Sequence, residues 1–166
     1  MTKAAATAQQ VEYVGRAKVY IEEALSCARA AREGEPLWRL AVVSLGSALD
    51  ALLRVKYGEA PRDLYALIDE FDKDSYWNGM QVHIDSEREC ATCNLDAIRK
   101  QRNTVHPNLW TDCTEREFDS ASETVLVIQH MLVHCDSSKL AEFPSTVAFE
   151  DVFKNEQAPP MEPRTI

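Results

Sequence analysis

The sequence predicts an all-α fold: an up-and-down bundle of about five helices over residues 8–136, then an irregular proline-containing tail over 137–166. Three observations predict it. Apolar residues recur at helical spacing in nearly every segment, glycine or proline punctuates the runs, and no stretch of useful length alternates as a strand would.

In the first run Val11, Val14, Ile21, Leu25 and Ala28 fall on one stripe that only Lys18 breaks, and Gly34 and Pro36 end it. From Leu37 to Tyr57 the next run is apolar nearly all round, with Leu40, Ala41, Val42, Val43, Leu45, Leu49, Leu52 and Leu53. Such a helix sits in the middle of a bundle. Its small residues Ser44, Gly46, Ser47 and Ala48 leave room for a neighbouring helix, and Gly58 stops it. Pro61 suits the first turn of a short third helix, where a missing N–H costs nothing. Leu64, Leu67, Ile68 and Phe71 occupy i, i+3, i+4 and i+7 of that helix.

A polar loop with Tyr76, Trp77, Asn78 and Gly79 leads to a fourth helix. Ser86-Glu87-Arg88-Glu89 reads as its capping box, and His106-Pro107 closes it, because proline disfavours the α conformation before it. Thr114-Glu115-Arg116-Glu117 is a second capping box. The helix behind it carries the cleanest amphipathic stripe in the chain: Phe118, Ala121, Val125, Ile128, Leu132 and Cys135. Beyond Asp136 the periodicity fades and Pro144, Pro159, Pro160 and Pro163 oppose regular structure, while Phe143, Val147, Phe149, Val152 and Phe153 could dock on the bundle as a strap.

At 166 residues, 45% hydrophobic and 27% charged, the chain has the composition of a globular domain able to bury its own core. No run approaches the roughly 20 apolar residues that span a bilayer, and the N-terminus lacks an apolar core of signal-peptide length. The expectation is a cytoplasmic protein without a membrane partner. Cys27, Cys90, Cys93, Cys113 and Cys135 are odd in number and scattered, so free thiols are expected. The net charge of −9 opposes broad binding to nucleic acid, which leaves only a focal contact with RNA.

The segment that could carry chemistry runs from Ile98 to Pro107. At 100° per residue, Arg99 and His106 lie about 20° apart around a helix, and Arg102, one turn before His106, shares their face. Asn103 lies beside them. An imidazole that titrates near neutrality can move a proton, and guanidinium groups can hold a phosphate. Together they could let a ribose 2′-OH attack its adjacent phosphate without metal. The plainer reading of the same residues is electrostatic: Arg, Lys and His favour a helix C-terminus because they complement its dipole.

This segment resembles the signature of the HEPN superfamily, helical domains marked by an Arg, four to six intervening residues and a His, often with an Arg-Asn pair. Arg99 and His106 fit the spacing, with six residues between, whereas Arg102-Asn103 resembles the Arg-Asn pair, so either arginine can be the motif's. The order of elements over residues 8–136 is similar too, with a long helix, a buried helix bearing Ser44-Leu45-Gly46-Ser47-Ala48-Leu49-Asp50, a helix ending in the motif, and a closing helix. The resemblance implies Arg99, Arg102, Asn103 and His106 as the catalytic site and Asp50 as a partner that orients an Arg or the His. It implies a homodimer whose two motifs face one groove, and no cofactor. It also implies one of two functions. The first is a metal-independent endoribonuclease of a toxin–antitoxin or defence system, with an RNA substrate and an antitoxin-like protein partner. The second is a non-catalytic dimerisation or interaction module. For Asp50, a capping or solvated charge is the competing reading.

Other constellations are weaker. Cys90-Ala91-Thr92-Cys93, with Cys113 and His106, has zinc-ligand residue types, but a second CxxC is missing and no metal is expected. A redox role for Cys90 and Cys93 lacks the accompanying βαβ pattern. His130 and His134, one turn apart, read as surface or interface residues, and His83 supports no argument. Trp38, Trp77 and Trp110 read as core or interface anchors before base-stacking groups.

Overall fold

The computed structural model describes residues 7–74, 95–100, 102, 113–130 and 132. Among the described residues there are five helices and no strand: α1 (Ala8–Arg32), α2 (Trp38–Tyr57), α3 (Leu64–Lys73), α4 (95–100, still helical at 102) and α5 (Glu115–His130). The all-helical expectation holds. The tail over 137–166, Asn103, His106, Cys90, Cys93, Trp77, Trp110 and the Ser86–Glu89 capping box lie outside the described residues.

α1 starts at a capping box. The Gln10 N–H donates to the Thr7 hydroxyl at 3.2 Å, and the Thr7 N–H donates to the Gln10 side chain at 2.9 Å. The helix ends at Glu33, and Gly34, with φ +107, supplies the left-handed residue of the reversal into α2. The returning helix brings the Val55 carbonyl within 3.1 Å of Gln10 Nε2, so the first pair is antiparallel.

α2 is the centre of the fold and packs against α1, α3 and α5. Ala41, Leu45, Ala48 and Leu49 on it are fully buried. Gly58, with φ +73, ends α2, its N–H reaching the Arg54 carbonyl at 2.8 Å. The buried Lys56 ammonium and the Tyr57 hydroxyl both reach Asp74, at 3.0 and 2.8 Å, and so tie the end of α2 to the end of α3.

Three sequence expectations need correction. Val11 stands 52% exposed, because the buried stripe of α1 runs through Tyr13, Val14, Ala17, Ile21, Ala24, Leu25 and Ala28, one position off Val11. Leu40 is 53% exposed on the outer face of α2's first turn. Pro61 precedes α3 and is not in it. Asp63 caps α3 instead, accepting from the Ala66 N–H at 2.9 Å. Leu64, Leu67, Ile68 and Phe71 of α3 are buried as read, as are Phe118, Ala121, Val125, Ile128 and Leu132 at α5, while Cys135 of that stripe lies outside the described residues. At the start of α5 the Thr114 N–H donates to the Glu117 carboxylate at 2.8 Å and the Thr114 hydroxyl donates to the same oxygen, which is the carboxylate half of the expected capping box.

α5 begins at the corner where α1 ends and α2 begins. Arg32 Nε donates to Glu115 Oε1 at 2.9 Å, and the Trp38 and Phe118 rings pack tilted with centroids 5.7 Å apart. Trp38 is thus an anchor between helices.

Candidate functional site

The position of the Arg-rich helix follows from one missing side chain. A Cβ added at Gly46 would stand 3.1 Å from Ile98 Cγ2 and 3.6 Å from Arg102 Cβ. Glycine at that point therefore lets α4 lie directly on α2, as the small residues of α2 suggest. Ile98 and Leu95 bury the apolar side of α4 in the core. Arg102, one turn beyond Ile98, is then carried over the next turn of α2, where Asp50 stands.

Asp50 joins two arginines. Arg54 Nε donates to Asp50 Oδ1 at 2.7 Å, and Arg102 Nη1 donates to Oδ2 at 3.1 Å. The carboxylate is 18% exposed, the Arg54 side chain 15% and the Arg102 side chain 32%, so solvent screens the group only in part. Arg54 Nη1 donates further, to the Pro61 carbonyl at 2.8 Å and the Gly58 carbonyl at 3.4 Å. Arg54 is thereby spent on the loop that leaves α2, while Arg102 arrives from another helix with one nitrogen on Asp50.

Arg99 takes a different direction. Its Nε and Nη2 donate to Asp96 Oδ1 at 3.0 and 2.8 Å, and its guanidinium lies 5.2 Å over the Tyr65 ring of α3. Hydrogen bonds from Lys100 and then Arg99 hold the Asp96 carboxyl below its ordinary value. The two candidate arginines of the motif thus serve different neighbours. Arg102 joins the central helix, and Arg99 joins the exposed ring of α3.

Next to Arg102 lies a hollow of about 90 Å³ lined by Tyr13, Arg16, Tyr20, Ser47, Asp50, Ala51, Arg54 and Arg102. It collects three guanidinium groups and one carboxylate. Arg16 pairs with Glu12 one turn away on the exposed side of α1 and lies 5.5 Å over the Tyr13 ring. Burial pushes the Tyr13 phenol above its ordinary value, and a hydrogen bond with Glu59 and that carboxylate's charge push the same way. The phenol is neutral at physiological pH.

Arg16, Tyr13, Tyr20 and Arg54 were not among the residues the sequence singles out. The spacing of Asp50 and Arg54, one turn apart, was a readable signal for their pair. Nothing local marks Arg16, which reaches the hollow only through the packing of α1 on α2.

Cys27 and Cys113 are in no disulfide, and burial, with the charge of Glu23, raises the Cys27 pKa. Among the described residues no group of three or more His, Cys, Asp or Glu side chains could hold a metal ion, and no helix is long and apolar enough to cross a membrane. Compared with known protein families, curated proteins and solved structures, the chain matches none.

Proposed function

We propose that the chain is a HEPN-like helical domain that binds RNA and cleaves it without metal, with Arg102, Asn103 and His106 as its central residues and Arg99 at the border of the site. The observation that carries this reading is the Asp50–Arg102 pair. A carboxylate of the central helix fixes the arginine four residues before His106 in the sequence, beside a hollow with two further arginines. A guanidinium fixed in this way has already lost its rotamer freedom and can meet a phosphate at little further entropic cost.

The chemistry needs no cofactor. A neutral His106 takes the proton of a ribose 2′-OH, and the oxygen attacks the adjacent phosphorus. The bond to the 5′-oxygen breaks, and that oxygen accepts a proton from a second imidazole. The products are a 2′,3′-cyclic phosphate and a 5′-hydroxyl. One copy of the motif has one histidine, so the reading includes a symmetric homodimer in which a second copy supplies the other imidazole. Sedimentation at micromolar concentration should give twice the chain mass. A monomeric mass removes the two-histidine mechanism. A role in a toxin–antitoxin or defence system, with an antitoxin-like protein restraining the nuclease, belongs to the same proposal.

A non-catalytic interaction module is the second reading. The net charge of −9 favours it, because the basic surface for a long RNA would have to be confined to this one site. Incubation of labelled RNA with the protein in EDTA, beside His106→Ala, separates the two. Cleavage by the wild type alone supports the nuclease, and intact RNA in both leaves the module.

A further inference from the structure

We infer that the hollow between α1, α2 and α4 is a binding site for one phosphate monoester group, held by Arg16 and Arg102 with the Tyr20 and Ser47 hydroxyls. Size comes first. A hollow of about 90 Å³ exceeds the roughly 15 Å³ that holds one water, yet falls well short of the roughly 300 Å³ at which pockets for whole small molecules begin. It suits a tetrahedral anion and is too small to enclose a nucleoside.

Charge decides which anion. Three guanidinium groups line the hollow against one carboxylate, with Glu12 on Arg16 and Glu59 on Tyr13 standing outside the lining. A phosphate monoester carries roughly −1.5 to −2 at neutral pH, whereas a diester carries a single negative charge. Tyr13 adds no opposing charge, since its phenol is raised and stays protonated.

The donors also differ in how free they are. Arg54 is committed to Asp50 and to two carbonyls, so it acts as a fixed positive wall. Arg102 gives one nitrogen to Asp50 and is held in place by it. Arg16 is paired with Glu12 on the helix surface, where both side chains are more than half exposed. Such an exposed pair is worth about 0.5 kcal/mol or less and is readily exchanged for a dianion. The Ser47 hydroxyl makes only a long contact of 3.4 Å to the Val43 carbonyl and can turn to a ligand.

Two carriers share this chemistry, a phosphorylated RNA end and a free mononucleotide. The assignment of RNA as the carrier rests on the function proposed above; the phosphate site itself does not. Calorimetric titration of the full chain with inorganic phosphate, 5′-AMP and adenosine, at ionic strength matched with chloride, tests the site. Phosphate and 5′-AMP are expected to bind and adenosine not to. Arg16→Gln, on the exposed face of α1, is expected to weaken phosphate binding roughly ten-fold while melting as the wild type does without ligand. Tyr20→Phe is expected to weaken it less.

No heat with millimolar phosphate overturns the inference, as does unchanged binding in both variants. His106→Ala is expected to bind phosphate as the wild type does, which separates this site from cleavage. Bound phosphate with uncut RNA sinks only the nuclease, and cut RNA without bound phosphate sinks only this site. A 5′-phosphorylated oligonucleotide binding more tightly than its 5′-hydroxyl twin identifies the RNA end as the carrier; equal binding overturns that carrier.

Discussion

Arg102 Nη1 lies 3.1 Å from Asp50 Oδ2 while Arg54 Nε lies 2.7 Å from Oδ1, so one carboxylate on the central helix holds two arginines from two helices. Removing its charge leaves two guanidinium groups side by side in a partly screened setting. In a double-mutant cycle with Asp50→Asn and Arg102→Gln, followed by urea unfolding, the coupling is expected to be about 1–2 kcal/mol. The exposed Arg16–Glu12 pair should give well under half of that in the same experiment. Equal couplings would mean that Asp50 does not hold α4.

The close approach of α4 to α2 at Gly46 makes a second prediction. A Cβ there would meet Ile98 Cγ2 at 3.1 Å, and a branched side chain would reach further into α4. Gly46→Val is expected to destabilise by roughly 1–3 kcal/mol through overpacking. Removing the contacting methyl should recover part of the loss, so Gly46→Ala should be tolerated better in an Ile98→Leu background, which lacks the β-branch Cγ2, than alone. Thermal melts of the four proteins check this, and a cycle with no interaction between the two positions contradicts the contact.

Much of this arrangement was legible in the sequence, and the missing part has a physical reason. The stripes Leu64–Leu67–Ile68–Phe71 and Phe118–Ala121–Val125–Ile128–Leu132 report which face of each helix is buried, because period 3.6 is a property of the helix alone. The same argument cannot say how far a partner extends, which is why Val11 and Leu40 look buried in the pattern and stand in solvent. Asp50 as a partner for an arginine came from the resemblance alone, beside the competing reading of a capping or solvated charge, and the contact with Arg102 decides between them. The choice of Arg102 over Arg99 for that contact was not legible, since both share one helical face within about 60°. It depends on the register of α4 on α2, which Gly46 and Ile98 determine through packing. The hollow was least legible, because Arg16 and Tyr20 come from α1 and meet Arg102 only across three packed helices.

The start of α5 gives a pH-dependent prediction. Hydrogen bonds from Thr114 hold the Glu117 carboxyl below its ordinary value of 4.5. The folded group therefore ionises at lower pH than the unfolded one. Its contribution is complete above the ordinary value and is lost as pH falls through the folded one. Glu117→Gln is expected to lower stability by about 1 kcal/mol near neutrality, with the difference shrinking as pH falls below 4.5. Melting curves of both proteins from neutral to acid pH decide it. A gap that does not narrow as the pH is lowered would show that the carboxylate charge plays no part in the cap.

The central claim is that Arg102, held by Asp50, and His106 form a metal-free RNA-cleaving site. The most direct measurement is the single-turnover cleavage rate of one labelled RNA in EDTA by the wild type, His106→Ala, Arg102→Gln and Arg99→Gln, each first shown by melting to be folded. The account predicts 2′,3′-cyclic phosphate ends with the wild type, no detectable cleavage with His106→Ala, and a loss of roughly 100-fold or more with Arg102→Gln. For Arg99→Gln, whose guanidinium lies over Tyr65, a smaller loss of about ten-fold is expected. RNA left intact by the wild type, or cleaved equally by wild type and His106→Ala, would contradict it.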